Sequence, residues 1–132
     1  MRKLSRKGAI AKLDGLCRDI VWIRDNSTCQ KCGRKVDRDL RRDGNVHHIV
    51  PKKRGYHVRW ELNNLILLCS GCHFWWHSDP FSLDWLREEY PHIADVVSEI
   101  NRYQTNDYKQ RDLLELISAL EKFLYWARLK RE

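Results

Sequence analysis

CQKCGRKVDRDLRRDGNVHHIVPKKRGYHVRWELNNLILLCSGCHFWWH, residues 29–77, holds four of the chain's five cysteines and five of its six histidines. Its ends are two Cys-x-x-Cys pairs, Cys29/Cys32 and Cys69/Cys72. Four thiolates in paired spacing can converge on one ion, with tetrahedral Zn–S bonds of about 2.3 Å. A two-residue gap lets each pair turn back on itself, and Gly33 and Gly71 are expected to supply the tight backbone of the two knuckles. Disulfides are the competing reading. They fit badly, because nothing marks the chain for export and Cys17 is left over in an expected helix, where it reads as a small buried apolar residue.

A zinc ion held by four sulfurs has no position left for the histidines. His73 and His77 stand four apart, so a helix starting near Cys72 puts both imidazoles on one face, where they can share a metal. His47 and His48 are adjacent in GNVHHIV, and adjacent side chains of a strand point to opposite faces. One can therefore ligate while the other stays free. A free neutral imidazole beside a metal-bound phosphate suits general-base work, because its pKa lies near physiological pH.

With these residues in place, the segment resembles the HNH endonucleases, the ββα-metal nucleases, with His48, Asn64 and His73 as the three letters. The resemblance implies that His47, in the position before the first motif histidine, binds the catalytic metal and that His48 is the base. It implies that Asn64 orients the base and fixes the loop, with Asn63 as the rival assignment. His73 would be the last motif ligand, and His77 is similar to the third histidine of the colicin nucleases. The alternative for His77 is packing or phosphate binding. The cysteine pairs resemble the zinc-stapled branch common among phage and mobile-element HNH proteins. The implied products carry 5′-phosphate and 3′-hydroxyl ends. Three neutral nitrogens favour a transition ion over magnesium, but a nuclease can turn over best with a weaker binder, so Mn²⁺, Mg²⁺, Zn²⁺, Co²⁺ and Ni²⁺ all stay open as the catalytic ion.

The 132 residues are expected to form a single domain: a basic arm and helix (1–28), a zinc-stapled nuclease core (29–79) and a helical extension (80–132). A core of such small size rarely holds without a metal or disulfide. The net charge is +7, unevenly placed. Residues 1–12 carry five Lys/Arg and no acid, residues 30–60 carry ten against three acids, and residues 78–132 carry eight against eleven. Positive charge thus sits on the arm and the core, as expected if a polyphosphate backbone crosses that face. Lys52, Lys53, Arg54 and Arg59, in the run after the histidine strand, are placed to touch phosphates. Such contacts position a protein without reading sequence. A solvated, inconsequential start is the alternative for the arm, and His57 and His92 read as ordinary solvated or hydrogen-bonded side chains.

Apolar residues Ile10, Leu13, Cys17, Ile20 and Val21 predict a helix over 9–25 that packs on the core or on the C-terminal helices, with Arg18 and Arg24 facing DNA or solvent. Asp43-Gly44 predicts a hairpin turn with the two histidines on its second strand, Pro51 ends that strand, and 52–62 is expected to be loop. Of Phe74, Trp75 and Trp76, two are expected to pack and one to be free for core or DNA. A short helix follows with Ser82 or Asp79 as its cap, then one from Pro91 to about Tyr103, then a long helix striped by Leu113, Leu116/Ile117, Leu120, Phe123/Leu124 and Ala127. This extension reads as a clamp, a dimer surface or a partner-binding module.

The expectation is an α+β protein: a ββα-metal core with a zinc site made of four cysteines, cutting DNA. Its competitors are a non-catalytic zinc-knuckle DNA-binding protein and a structure-specific or RNA-directed nuclease. No run of about 18 apolar residues suggests a membrane span. The basic start lacks an apolar signal core, so a cytoplasmic location is expected, the bacterial host's if the source is a phage.

Overall fold

The computed structural model describes residues 3–103 and 107–131, so Arg2 of the basic arm and the first three residues of the polar break after Tyr103 lie outside the described residues. Ser5 starts the first helix, α1 (Arg6–Arg24), by accepting a hydrogen bond from Gly8 N at 3.0 Å. Ala9, Leu13, Leu16, Cys17, Ile20 and Val21 are buried along it. Such a stripe is wider than one packing partner needs. One side of α1 packs on the last helix, α6 (Gln110–Arg131), whose Leu113, Ile117, Leu120 and Leu124 repeat at helical spacing, and the other side packs on the sheet. Each fully buried aliphatic side chain here stabilises the fold by about 1.5–3 kcal/mol.

The sheet has two antiparallel strands, β1 (Gly44–His48) and β2 (Leu65–Cys69), with Gly44 opposite Cys69 and His48 opposite Leu65. Together with the helix that follows β2 they make an α+β, ββα core. The partner of the histidine strand is thus not the chain just before Asp43-Gly44. Residues 36–43 form turns: the Asp43 carboxylate accepts from Asp37 N at 2.6 Å and from Arg34 Nη2 at 2.9 Å. That pairing uses the polar groups a preceding strand would need. Gly44 is required for close approach, since a Cβ there would lie 2.7 Å from Trp22 Cη2. Asp25 joins α1 to the sheet, accepting from Leu67 N at 3.0 Å, and Arg24 donates to the carbonyls of Leu62 and Leu65. Arg24 is therefore a structural cation.

Residues 52–62 are more ordered than a loop. They contain a 3₁₀ turn (Lys52–Arg54), the four-residue α2 (Tyr56–Arg59) and the start of a second 3₁₀ turn (Leu62–Asn64). After β2 come α3 (Ser70–Ser78), α4 (Ser82–Glu89) and α5 (Pro91–Asn101). Asp79 accepts from Phe81 N at 2.8 Å ahead of α4, while Ser82 is buried inside that helix. Pro91 opens α5 as expected, and the helix ends two residues short of Tyr103. On α6, Phe123 is exposed rather than part of the buried stripe, together with Leu114, Tyr125 and Trp126. No helix among the described residues is long and apolar enough to cross a membrane.

Candidate metal centres

The first cysteine pair sits in a reversed turn: Cys29 N donates to Arg34 O at 2.8 Å and Gly33 N to Cys29 O at 2.9 Å, with Gly33 at φ 79°. Glycine takes that left-handed backbone at no steric cost. The second pair needs no such glycine. Cys69 ends β2 and accepts from Cys72 N at 3.4 Å, so it caps α3, and Gly71 lies in the first helical turn. The sulfurs of Cys29, Cys32, Cys69 and Cys72 all lie within 4.8 Å of one another, with Cys32 and Cys69 at 3.8 Å. A tetrahedron with bonds of about 2.3 Å has edges of about 3.8 Å. All four are free thiols, as is the buried Cys17, whose thiol burial pushes up to about 12. Burial works against a Cys69 thiolate, yet hydrogen bonds from Cys72 and the neighbouring thiols outweigh it and bring the group to about 6. Burial, then the shared protons of Cys69 and Cys29, push Cys72 up. Four clustered sulfurs that compete for protons are a donor set that fits a thiophilic cation.

The second centre is built by β1 and α3. His47 points into the core, 4% exposed, and its Nε2 has no hydrogen-bond partner. His73 and His77, one turn apart, present Nε2 atoms 3.2 Å from each other, and their rings lie 5.1 and 5.2 Å from that of His47. Ligand atoms of all three fall within 4.8 Å of one another. A buried ring nitrogen left unpaired costs about 1–3 kcal/mol, which a bound cation would recover. Burial, aided by His73, His77 and His48, drives His47 down to about 3, and burial also lowers His73, so both of these two rings favour the neutral form that can ligate a cation. Trp76 packs on His47 at 4.8 Å and Trp75 meets Trp85 edge-on at 5.6 Å, whereas Phe74 is exposed beside His73 and His77.

His48 faces the other way, half-buried, with Nε2 3.0 Å from Arg59 O. A carbonyl can only accept, so the neutral ring carries its proton on Nε2 and leaves the Nδ1 lone pair free. Burial lowers its pKa, opposed by the Arg59 carbonyl. Asn64, fully buried, directs its side-chain hydrogen bonds away from that ring. Its Nδ2 donates to Val50 O at 3.0 Å and Val58 O at 2.9 Å, and its Oδ1 accepts from Val50 N at 2.8 Å, so it closes the loop between β1 and β2. Among the described residues, the Asn63 side chain hydrogen-bonds only to Glu61. Lys52, Lys53 and Arg54 are exposed in the turn after β1, but Arg59 is held by Asp14 through bonds of 3.0 and 2.7 Å. Arg59 is thereby already committed to a carboxylate. Asp14 and Arg18 of α1 line, with His48, Lys52 and Arg59, a cavity of about 190 Å³. Sequence reading did not single out Asp14, because an Asp one turn before an Arg on a helix looks like a solvated pair.

A strand and a helix that converge three imidazoles, stapled by four thiols, define a ββα-metal core. Residues 29–78 match the family model of the HNH endonucleases, and this segment is an HNH domain of the CxxC…CxxC type. No curated protein and no solved structure matches the chain. The domain supports a nuclease or DNA-binding function.

Proposed function

We propose that the protein is a metal-dependent endonuclease that hydrolyses DNA phosphodiester bonds to 5′-phosphate and 3′-hydroxyl ends. The observation that carries this reading is the division of labour between two adjacent histidines. One imidazole is buried with an unpartnered nitrogen beside two others, and its neighbour is locked by a main-chain carbonyl with Nδ1 free.

His47, His73 and His77 would hold the catalytic cation, and Cys29, Cys32, Cys69 and Cys72 a structural zinc. A divalent cation in the histidine centre would supply Lewis-acid stabilisation of the phosphate and the leaving oxygen. His48 Nδ1 takes the proton of the attacking water, while Nε2–H stays on the Arg59 carbonyl and keeps the ring aligned. Asn64 acts at one remove, by fixing the loop that presents that carbonyl. Lys52, Lys53 and Arg54 offset phosphate charge along the approaching backbone. Residues 1–28 and 80–132 buttress the 29–79 core as parts of one domain. Free thiols in a metal-binding arrangement suit a reducing compartment such as the cytoplasm, where this reading puts the protein.

The test is nicking of supercoiled plasmid with each of the five divalent ions, by wild type and by His48→Ala. The expected outcome is cutting by wild type, reduced by about 10²- to 10⁴-fold in the variant, with DNA retained in a gel-shift assay. Binding without cutting under every ion would instead make the protein a zinc-stapled DNA-binding module. Branched, single-stranded and RNA substrates run in parallel define the substrate class.

A further inference from the structure

We infer that Asp14, on the helix that precedes the HNH segment, is a positioning residue for the general base. This rests on the nuclease reading of His48. The base is aligned by one contact, Nε2 to Arg59 O at 3.0 Å, so whatever fixes residue 59 fixes the imidazole. Two groups do. From the loop side Asn64 holds Val58 O at 2.9 Å. From the other side Asp14 takes three hydrogen bonds: from Arg59 Nε at 3.0 Å, from Arg59 Nη2 at 2.7 Å and from Trp60 Nε1 at 2.8 Å.

The carbonyl that aligns His48 therefore lies between two clamped neighbours, one clamp from inside residues 29–78 and one from outside. The geometry favours Asp14 over a surface ion pair on two counts. The fork of Arg59 meets both carboxylate oxygens, the arrangement that fixes orientation as well as distance. Both partners are also largely withdrawn from solvent, with side-chain exposures of 22% for Arg59 and 25% for Asp14. Trp60 adds rigidity, since it is buried and stacks on Tyr56 at 4.9 Å. The same carboxylate lines the cavity on which His48 opens, and it neutralises the guanidinium there. Of the cations that line this cavity, Arg18 and Lys52 are the ones not paired with Asp14.

The experiment compares wild type with Asp14→Ala and Asp14→Asn in single-turnover nicking of supercoiled plasmid, with protein titrated in excess. Folding is checked by thermal melting. Loss of alignment lowers the plateau rate by about 10- to 100-fold and leaves the half-saturating protein concentration unchanged. An independent readout is the tautomer of His48, from long-range ¹H–¹⁵N spectra assigned with His48→Ala. A single Nε2–H tautomer is expected in wild type and a mixture in Asp14→Ala. A folded variant with the wild-type plateau, or one whose whole loss lies in half-saturation, overturns the inference. So does an Nδ1–H tautomer in wild type. If Asp14→Ala does not fold, Asp14→Asn, which keeps the shape and one acceptor, gives the same two readouts. If wild type cuts nothing, the nuclease reading has failed, and the tautomer alone decides whether Asp14 orients this ring.

Discussion

Neighbouring residues with opposite surroundings follow from the strand pleat: a two-residue period turns His47 into the core and His48 away from it. Asn64 shows what lets a polar residue occupy a buried position, since all of its hydrogen bonds go to the backbone of the loop it closes. Asn64→Asp keeps shape and one acceptor but sets an oxygen against two carbonyls. It should destabilise the metal-loaded protein by about 3 kcal/mol or more, read from urea unfolding, whereas Asn63→Ala should cost less than about 1 kcal/mol. Equal losses, or a larger one at Asn63, would make Asn63 the motif residue. The split between the two histidines was legible in the sequence because it needs only alternation. Which nitrogen of His48 stays free was not, because that depends on the Arg59 carbonyl, brought there by a turn that no local pattern announces.

At the scale of elements, β1 was legible as a strand but its partner was not. Asp43-Gly44 has the composition of a hairpin turn, yet here the Asp side chain ties back to Asp37 and Arg34, and the Gly lets β1 pass under Trp22. Composition is the same for both uses, and only tertiary packing distinguishes them. The turn Lys52–Arg54 is a second case, an element hidden in an expected loop. Its three side chains are exposed, so their replacement leaves the fold nearly untouched, within about 0.5 kcal/mol. The triple substitution Lys52→Ala, Lys53→Ala, Arg54→Ala should nevertheless flatten the dependence of log K on log salt for duplex DNA by about 2 to 3. A slope equal to that of wild type would move the DNA path away from this turn. Arg59→Ala, by contrast, should act mainly on rate and stability, because its charge is already paired with Asp14.

Across the whole molecule, both candidate metal clusters hang on α3, which carries Cys72, His73 and His77. The coupling between them is therefore one-sided. The cysteine cluster joins segments 37 residues apart, Cys32 to Cys69, and sets where α3 begins. The histidine centre only uses the helix once it is placed. Cys32 is the exposed member of the cluster, so Cys32→Ser creates no cavity and tests the ligand alone. It should remove a large part of the roughly 10 kcal/mol that a structural zinc contributes, seen as a fall in Tm, and should also abolish cobalt binding by the imidazoles. His73→Ala with His77→Ala should lower the bound metal from two ions per chain to one, keep the thiolate-to-cobalt absorption, and leave Tm of the zinc-loaded protein close to wild type. If the histidine double variant melts as early as Cys32→Ser, or if Cys32→Ser still takes up cobalt at its histidines, the two centres are not ordered as this architecture requires.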